Sequence, residues 1–164
     1  MLTNIPRDTK IFIDSNIFIY HFLGNNTHSE VCTNFINNVE EEILQGYTSS
    51  IILAEILHRL MIVEAIEKFG TDIENAVKFL KKHPLEIKKF TKCFDAVEKI
   101  EHLNIVVFPV TGIDVIKVRT ISKECGLLTN DSINIVLMQS YSITNFATND
   151  TDFDNIKHIH VFKP

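Results

Sequence analysis

Short apolar runs that stop at a polar residue, each followed by a helical pattern, constrain this chain more than any other feature. Ile11-Phe12-Ile13 is a β-branched and aromatic run that ends at Asp14-Ser15-Asn16, the pattern of a buried strand closed by a polar turn. Ile105-Val106-Val107-Phe108, ended by Pro109, repeats it. Tyr47–Ser49, Thr144–Thr148 and Ile159–Phe162 read as three more short strands. Between them the apolar period lengthens to that of helices. Ile17–Leu23 is a short helix with Gly24-Asn25-Asn26 as its stop. Val31, Phe35, Val39 and Ile43 then recur on one face of a second helix, which Gly46 ends. A long helix runs from Ser50 to Phe69-Gly70, followed by one near Asp72–Lys82, broken by Pro84, and another over Leu85–Glu101. Gly112–Cys125, stopped by Gly126, and Asp131–Ser140 complete the set. No Asn-Gly hairpin signal joins any two strands. Strands alternating with helices build βαβ units, so the expected fold class is α/β, with one mainly parallel sheet covered by helices on both faces.

Composition narrows the class. The 164 residues and 18.8 kDa suit a single domain over residues 1–164, and 5 Gly and 4 Pro leave little room for linkers. Apolar stretches such as Ile51–Leu57 are far shorter than the roughly 20 residues of a membrane span. Met1–Lys10 carries Arg7, Asp8 and Lys10 without the apolar core of a secretory signal. Cys32, Cys93 and Cys125 are odd in number and form no CxxC pair, which argues against a disulfide framework and for a reducing cytoplasm. A net charge of −5 excludes a protein that coats nucleic acid by bulk electrostatics. No G-x-S-x-G elbow, Gly-rich phosphate loop or dinucleotide fingerprint occurs, so triad-hydrolase, NTPase and dehydrogenase readings fall away.

The acidic residues carry the remaining information. Asp14 and Asp150 each stand just past an apolar strand, where open α/β sheets bind ligands. Taken singly, each is equally a helix cap or a turn residue. Glu55 lies among six apolar neighbours in Ser50–Leu57, where a buried carboxylate needs a partner. On a helical wheel His58 and Arg59 share its face and Leu53, Leu57 and Leu60 lie opposite, so a solvated Glu55–Arg59 pair is the alternative. Asp131 opens the Asp131–Ser140 helix, where a carboxylate meets the positive end of the helix dipole.

Four segments, IFIDSNIFIY, SSIILAEIL, LLTNDSINIVLM and FATNDTDF, together resemble the four acidic motifs of PIN-domain ribonucleases, in order and from Lys10 to Phe162. The resemblance implies a strand order of 3-2-1-4-5 and a metal-dependent endoribonuclease, the toxin of a toxin–antitoxin pair. It implies that Asp14, Glu55, Asp131 and Asp150 hold Mg²⁺ or Mn²⁺, with Asn16 and Thr148 as supporting polar residues. It further implies a helical arm around residues 51–102, a homodimer, an RNA substrate and an antitoxin protein as partner. Ser132, Ile133 and Asn134 depart from the small residues usual after the third acid. The alternative is a non-catalytic PIN-fold module that binds RNA or protein, against which all four acids stand.

The chemistry agrees with the donor set. Hard carboxylate oxygens suit Mg²⁺ or Mn²⁺, whereas zinc favours the Cys and His clusters this chain lacks. Two such ions can activate water and stabilise the departing 3′ oxygen. Asp152 is an additional candidate, as an extra or water-mediated ligand, against the bland reading of a solvated turn over Thr148–Asp154, and Phe153 reads as an anchor for the turn. A polyanionic substrate also needs cations, and Lys78, Lys81, Lys82, Lys88, Lys89 and Lys92 give residues 78–92 a net +5 against Glu86 alone. The bland reading of those lysines is a solvated helical face. The apolar helix over Ile51–Phe69 is the candidate surface for a dimer.

Overall fold

The computed structural model describes residues 1–24 and 27–164. Five strands, β1 (Lys10–Ile13), β2 (Gln45–Ser49), β3 (Ile105–Phe108), β4 (Asn145–Ala147) and β5 (His160–Phe162), pair in parallel in the order β3-β2-β1-β4-β5. The α/β class and the strand order are therefore as the sequence implies. Ile11, Phe12 and Ile13 point alternately to the two faces of the sheet, yet all are fully buried, so helices cover both faces. These helices are α1 (Ser15–Leu23), α2 (Ser29–Glu40), α3 (Ser50–Phe69), α4 (Ile73–Lys82), α5 (Pro84–Ile87), α6 (Lys92–His102), α7 (Gly112–Cys125) and α8 (Thr129–Ser140).

Most helix ends lie where the sequence puts them, for local reasons. Gly24, Gly70 and Gly126 follow α1, α3 and α7 in the left-handed conformation, and each donates its N–H back into the last turn. Asn25 and Asn26, read with Gly24 as a stop signal, lie outside the described residues. Ser49 caps α3 through the Ile52 N–H at 3.3 Å, and Thr111 with Asp114 forms a capping box on α7.

Three expectations are corrected. Gly46 does not end the second helix, which stops at Glu40; Glu42 takes a positive φ of 57°, and Gly46 lies inside β2. Its role is close approach, since a Cβ there would stand 2.5 Å from Val39 Cγ1. The single helix expected over Leu85–Glu101 is two, α5 and α6. Phe90 turns into the core between them, beside Phe69 at 6.3 Å between ring centroids. Glu64 of α3 then accepts the Thr91 and Cys93 N–H groups, both at 3.0 Å, and so caps α6 from a neighbouring helix. β3 is not the buried strand that its apolar run suggests, because it forms the edge of the sheet and leaves Val106 and Val107 exposed.

Candidate active site

The β1–β4 register builds the centre of the site. It pairs Ile13 with Ala147, and the Asp14 N–H donates to the Ala147 carbonyl at 3.0 Å, so Asp14 and Thr148 emerge side by side. Thr148 donates its hydroxyl to Asp14 Oδ2 at 2.6 Å. Asn16, in the first turn of α1, donates to Asp14 Oδ2 and to Thr148 Oγ1, and its own Oδ1 accepts the Asn149 N–H at 3.1 Å. Thr148 Oγ1 also accepts the Asp150 N–H at 3.0 Å. Each hydroxyl and amide thus fixes the next, and the loop after β4 is tied to the start of α1.

Around this centre lies an open cleft of about 260 Å³, lined by Asp14, Ser15, Asn16, Tyr20, Glu55, Arg59, Asp131, Asn149 and Asp150. Asp14 caps α1 through the Ser15 N–H at 2.7 Å. Asp150 caps the 3-10 turn Thr151–Phe153, whose Phe153 is buried against Phe146 as an anchor. Asp131 comes from the first turn of α8 and Glu55 from the second turn of α3. Asp14 and Asp150 thus cap the elements that follow them and line the cleft at the same time. Glu55 is only half-buried and makes the expected pair with Arg59 at 3.1 Å, and the pair lies in the wall of the cleft.

Two of the four acids, Asp14 and Asp131, hold their protons more tightly than a free carboxyl. Burial raises Asp14 to about 6 against the lowering hydrogen bonds from Thr148 and Ser15, and the charges of Glu55 and Asp150 push it the same way. Asp131 is also raised, by burial first and then by Asp150, Asp152 and Glu55. Among the described residues no three acidic, His or Cys side chains already form a closed chelate. The donor set nonetheless fits a hard divalent cation, because it is all oxygen and its mutual repulsion is what such an ion relieves.

The remaining candidates lie further out. Asp152 is exposed in the 3-10 turn and reaches Asp131 through its charge. Lys78, Lys81 and Lys82 sit on α4, which meets the last turn of α3 through Phe69 and Phe79 at 5.0 Å. Lys88 and Lys89 follow α5. The Lys89 carbonyl accepts from Lys68 at 2.8 Å, and Lys68 lies about 20 Å of helix from Glu55. Lys89 is paired with Glu86, and Lys92 with Glu67.

Four residues of the cleft wall, Ser15, Tyr20, Arg59 and Asn149, escaped sequence reasoning as site residues. Tyr20 accepts a hydrogen bond from Asn149 Nδ2 at 3.1 Å and lines the wall. Its signal was available, since it stands one helical turn beyond Asn16 on the same face. Asn149 lies inside the T-N-D segment, between the two residues that were singled out.

A parallel α/β sheet with four carboxylates gathered over the ends of β1 and its neighbours defines an acidic-cleft class of protein. The PIN domain family profile matches residues 11–159, and the chain belongs to that family. Among curated proteins it is 25% identical over 159 residues to Ribonuclease VapC6 of Methanocaldococcus jannaschii, covering 94% of this chain and 97% of that relative. It is 27% identical over 158 residues to Ribonuclease VapC2 of the same organism, covering 96% and 95%. Among solved structures, Mycobacterium tuberculosis VapC20, described as a Sarcin-Ricin loop cleaving toxin, superposes with a TM-score of 0.60 at 14% identity over 88% of this chain and 92% of that one. VapBC2 from Rickettsia felis, bound to a promoter DNA fragment, superposes with a TM-score of 0.54 at 16% identity over 94% and 98%.

Proposed function

We propose that this protein is a metal-dependent endoribonuclease and the toxin of a toxin–antitoxin pair. The observation that carries the reading is the convergence of Asp14, Glu55, Asp131 and Asp150 on one cleft, with the protons of Asp14 and Asp131 held more tightly than usual. The ribonuclease names of relatives aligned along nearly the whole chain support it.

In this reading Asp14 and Asp150 are the core ligands of Mg²⁺ or Mn²⁺, and Asp131 and Glu55 complete the set. When bound, the cation activates a water and stabilises the departing 3′ oxygen. Thr148 and Asn16 hold the Asp14 carboxylate in one orientation, and Asp152 adds negative field at the rim. Lys78, Lys81, Lys82, Lys88 and Lys89 contact the RNA backbone where the strand extends along α3. The whole chain acts as one PIN unit, with α3–α6 as its arm. It works in the cytoplasm as a homodimer restrained by an antitoxin protein; among the described residues no helix is long and apolar enough to cross a membrane.

A non-catalytic RNA- or protein-binding module is the second reading, favoured by the engagement of Glu55 with Arg59. Replacing Asp14 by Asn separates the two. The expected result is loss of Mg²⁺-dependent RNA cleavage, read on end-labelled RNA, in a chain that keeps its circular dichroism spectrum. Undiminished cleavage by the variant refutes the assignment, and no cleavage by the native chain favours the binding module.

A further inference from the structure

Arg59 is the basic side chain in the wall of the acidic cleft. It stands one helical turn beyond Glu55, its Nε lies 3.1 Å from Glu55 Oε1, and its side chain is 55% exposed. Among the described residues Glu55 is its one ion-pair partner. A guanidinium offers five N–H donors in a rigid fork matched to carboxylate and phosphate oxygens, more than a single contact to the half-buried Glu55 carboxylate uses. The cleft meanwhile has a charge problem. Asp14, Glu55, Asp131 and Asp150 present four carboxylates to an RNA phosphodiester that is itself an anion. The lysines of residues 78–92 belong to α4 and the segment after it, which meet the far end of α3 through Phe69, Lys68 and Glu67.

We propose that Arg59 is a phosphate-binding residue of the cleft, tethered to Glu55 until a divalent cation takes that carboxylate. This rests on the proposed function, because it gives Arg59 the same substrate and the same ion. The physical link is competition. Glu55 cannot give its full charge to both partners, so an ion on Glu55 loosens Arg59, and by reciprocity Arg59 on Glu55 weakens the ion. Once loosened, the fork is free to take two phosphate oxygens in parallel. The substrate-binding cation thus becomes available as the cleft is loaded. In the metal-free chain the same residue offsets part of the carboxylate repulsion.

The experiment measures two bindings, neither of which needs turnover. Mn²⁺ is titrated calorimetrically into the native full chain, Arg59→Gln and Arg59→Lys. A short single-stranded RNA oligonucleotide is then titrated in Ca²⁺ over a range of salt. Arg59→Gln should bind Mn²⁺ about two- to five-fold more tightly, the fold-change of an exposed ion pair. It should bind the oligonucleotide about ten-fold more weakly, as expected for loss of a charge-assisted contact, with a salt slope shallower by about 0.7. Arg59→Lys keeps the charge and loses the fork, so it should bind Mn²⁺ like the native chain and RNA at an intermediate level. Mn²⁺ affinity that is unchanged or weaker in Arg59→Gln overturns the inference, because it makes Arg59 inert or a support for Glu55. Unchanged RNA affinity overturns it as well. A native chain that cleaves no RNA refutes the proposed function alone, and the two titrations then still decide the role of Arg59.

Discussion

Glu64 is the residue whose removal should reveal most about how this chain holds together. It is 2% exposed on α3, accepts the Thr91 and Cys93 N–H groups at 3.0 Å, and meets Lys68 Nζ at 2.7 Å. Burial alone would raise its pKa; Lys68 and the two N–H groups more than offset this and hold it at about 2, against an ordinary 4.5. At about 1.36 kcal/mol per pH unit, that depression is worth about 3 kcal/mol to the folded state. The sign follows from the direction of the shift. A depressed carboxylate stabilises fully above its unfolded pKa and loses that contribution as pH falls through its folded one, here between 4.5 and 2. Glu64→Gln keeps the volume but removes the charge, and it turns an NH₂ toward one of the two N–H donors. At pH 7 it should therefore cost about 3 kcal/mol, or about 6–12 °C in Tm for a chain of this length. Urea unfolding followed by circular dichroism, on both proteins from pH 7 to pH 3, reads the difference directly. The gap should shrink to less than half by pH 3. A gap below about 1 kcal/mol at pH 7, or one that acid leaves unchanged, would show that Glu64 is not the cap that holds α6 on α3.

Two further substitutions probe the site and the sheet. Thr148→Val keeps the shape but removes the hydroxyl that donates to Asp14 and accepts from Asp150 N–H; metal affinity or cleavage should fall about 10- to 100-fold with little change in far-ultraviolet circular dichroism, as for other supporting partners of metal ligands. Gly46→Ala sets a Cβ 2.5 Å from Val39 Cγ1 and 3.2 Å from both Ile105 Cγ1 and Ile13 Cδ1, so thermal unfolding should report a loss of about 1–3 kcal/mol from overpacking.

The sheet was legible because its central strand is buried on both faces and spells a continuous apolar run, Ile11–Ile13, and because β3 keeps such a run at the sheet edge although Val106 and Val107 are exposed there. The helix stops were legible where a glycine takes a positive φ, as at Gly24, Gly70 and Gly126. Gly46 misled because a glycine needed for close approach looks the same in sequence as one needed for a turn. The break between α5 and α6 was hidden for a different reason. Its cap, Glu64, lies 27 positions before Thr91, so local periodicity could run straight through it. The four acids were visible as motifs, but their convergence depends on register. Asp14 and Thr148 meet across 134 positions because Ile13 pairs with Ala147. Glu55 left two readings open on the helical wheel; the fold shows the Arg59 pair, and it places that pair in the wall of the cleft, which the wheel could not do.

Two buried carboxylates separate what holds the fold from what equips the site. Glu64 and Asp14 are both largely withdrawn from water, and burial alone would raise both. Glu64 goes down to about 2 because the chain supplies its counter-charge and its donors, Lys68, Thr91 and Cys93. Asp14 goes up to about 6 because burial outweighs the hydrogen bonds from Thr148 and Ser15, and the charges nearest it, Glu55 and Asp150, have its own sign and add to the rise instead of opposing it. By linkage, a carboxyl raised in this way favours folding below its unfolded value and loses that contribution as pH rises through 6. Relative to its protonated form, ionised Asp14 therefore costs the fold about 3 kcal/mol at neutral pH, close in size to the stabilisation from Glu64. A side chain that is neutralised from within has its partners, and its place is structural. A carboxylate kept ionised among like charges at the end of the central strand stores a cost that an external cation can remove. That difference in who supplies the positive charge, and not burial or acidity alone, singles out Asp14 as the centre of the cleft.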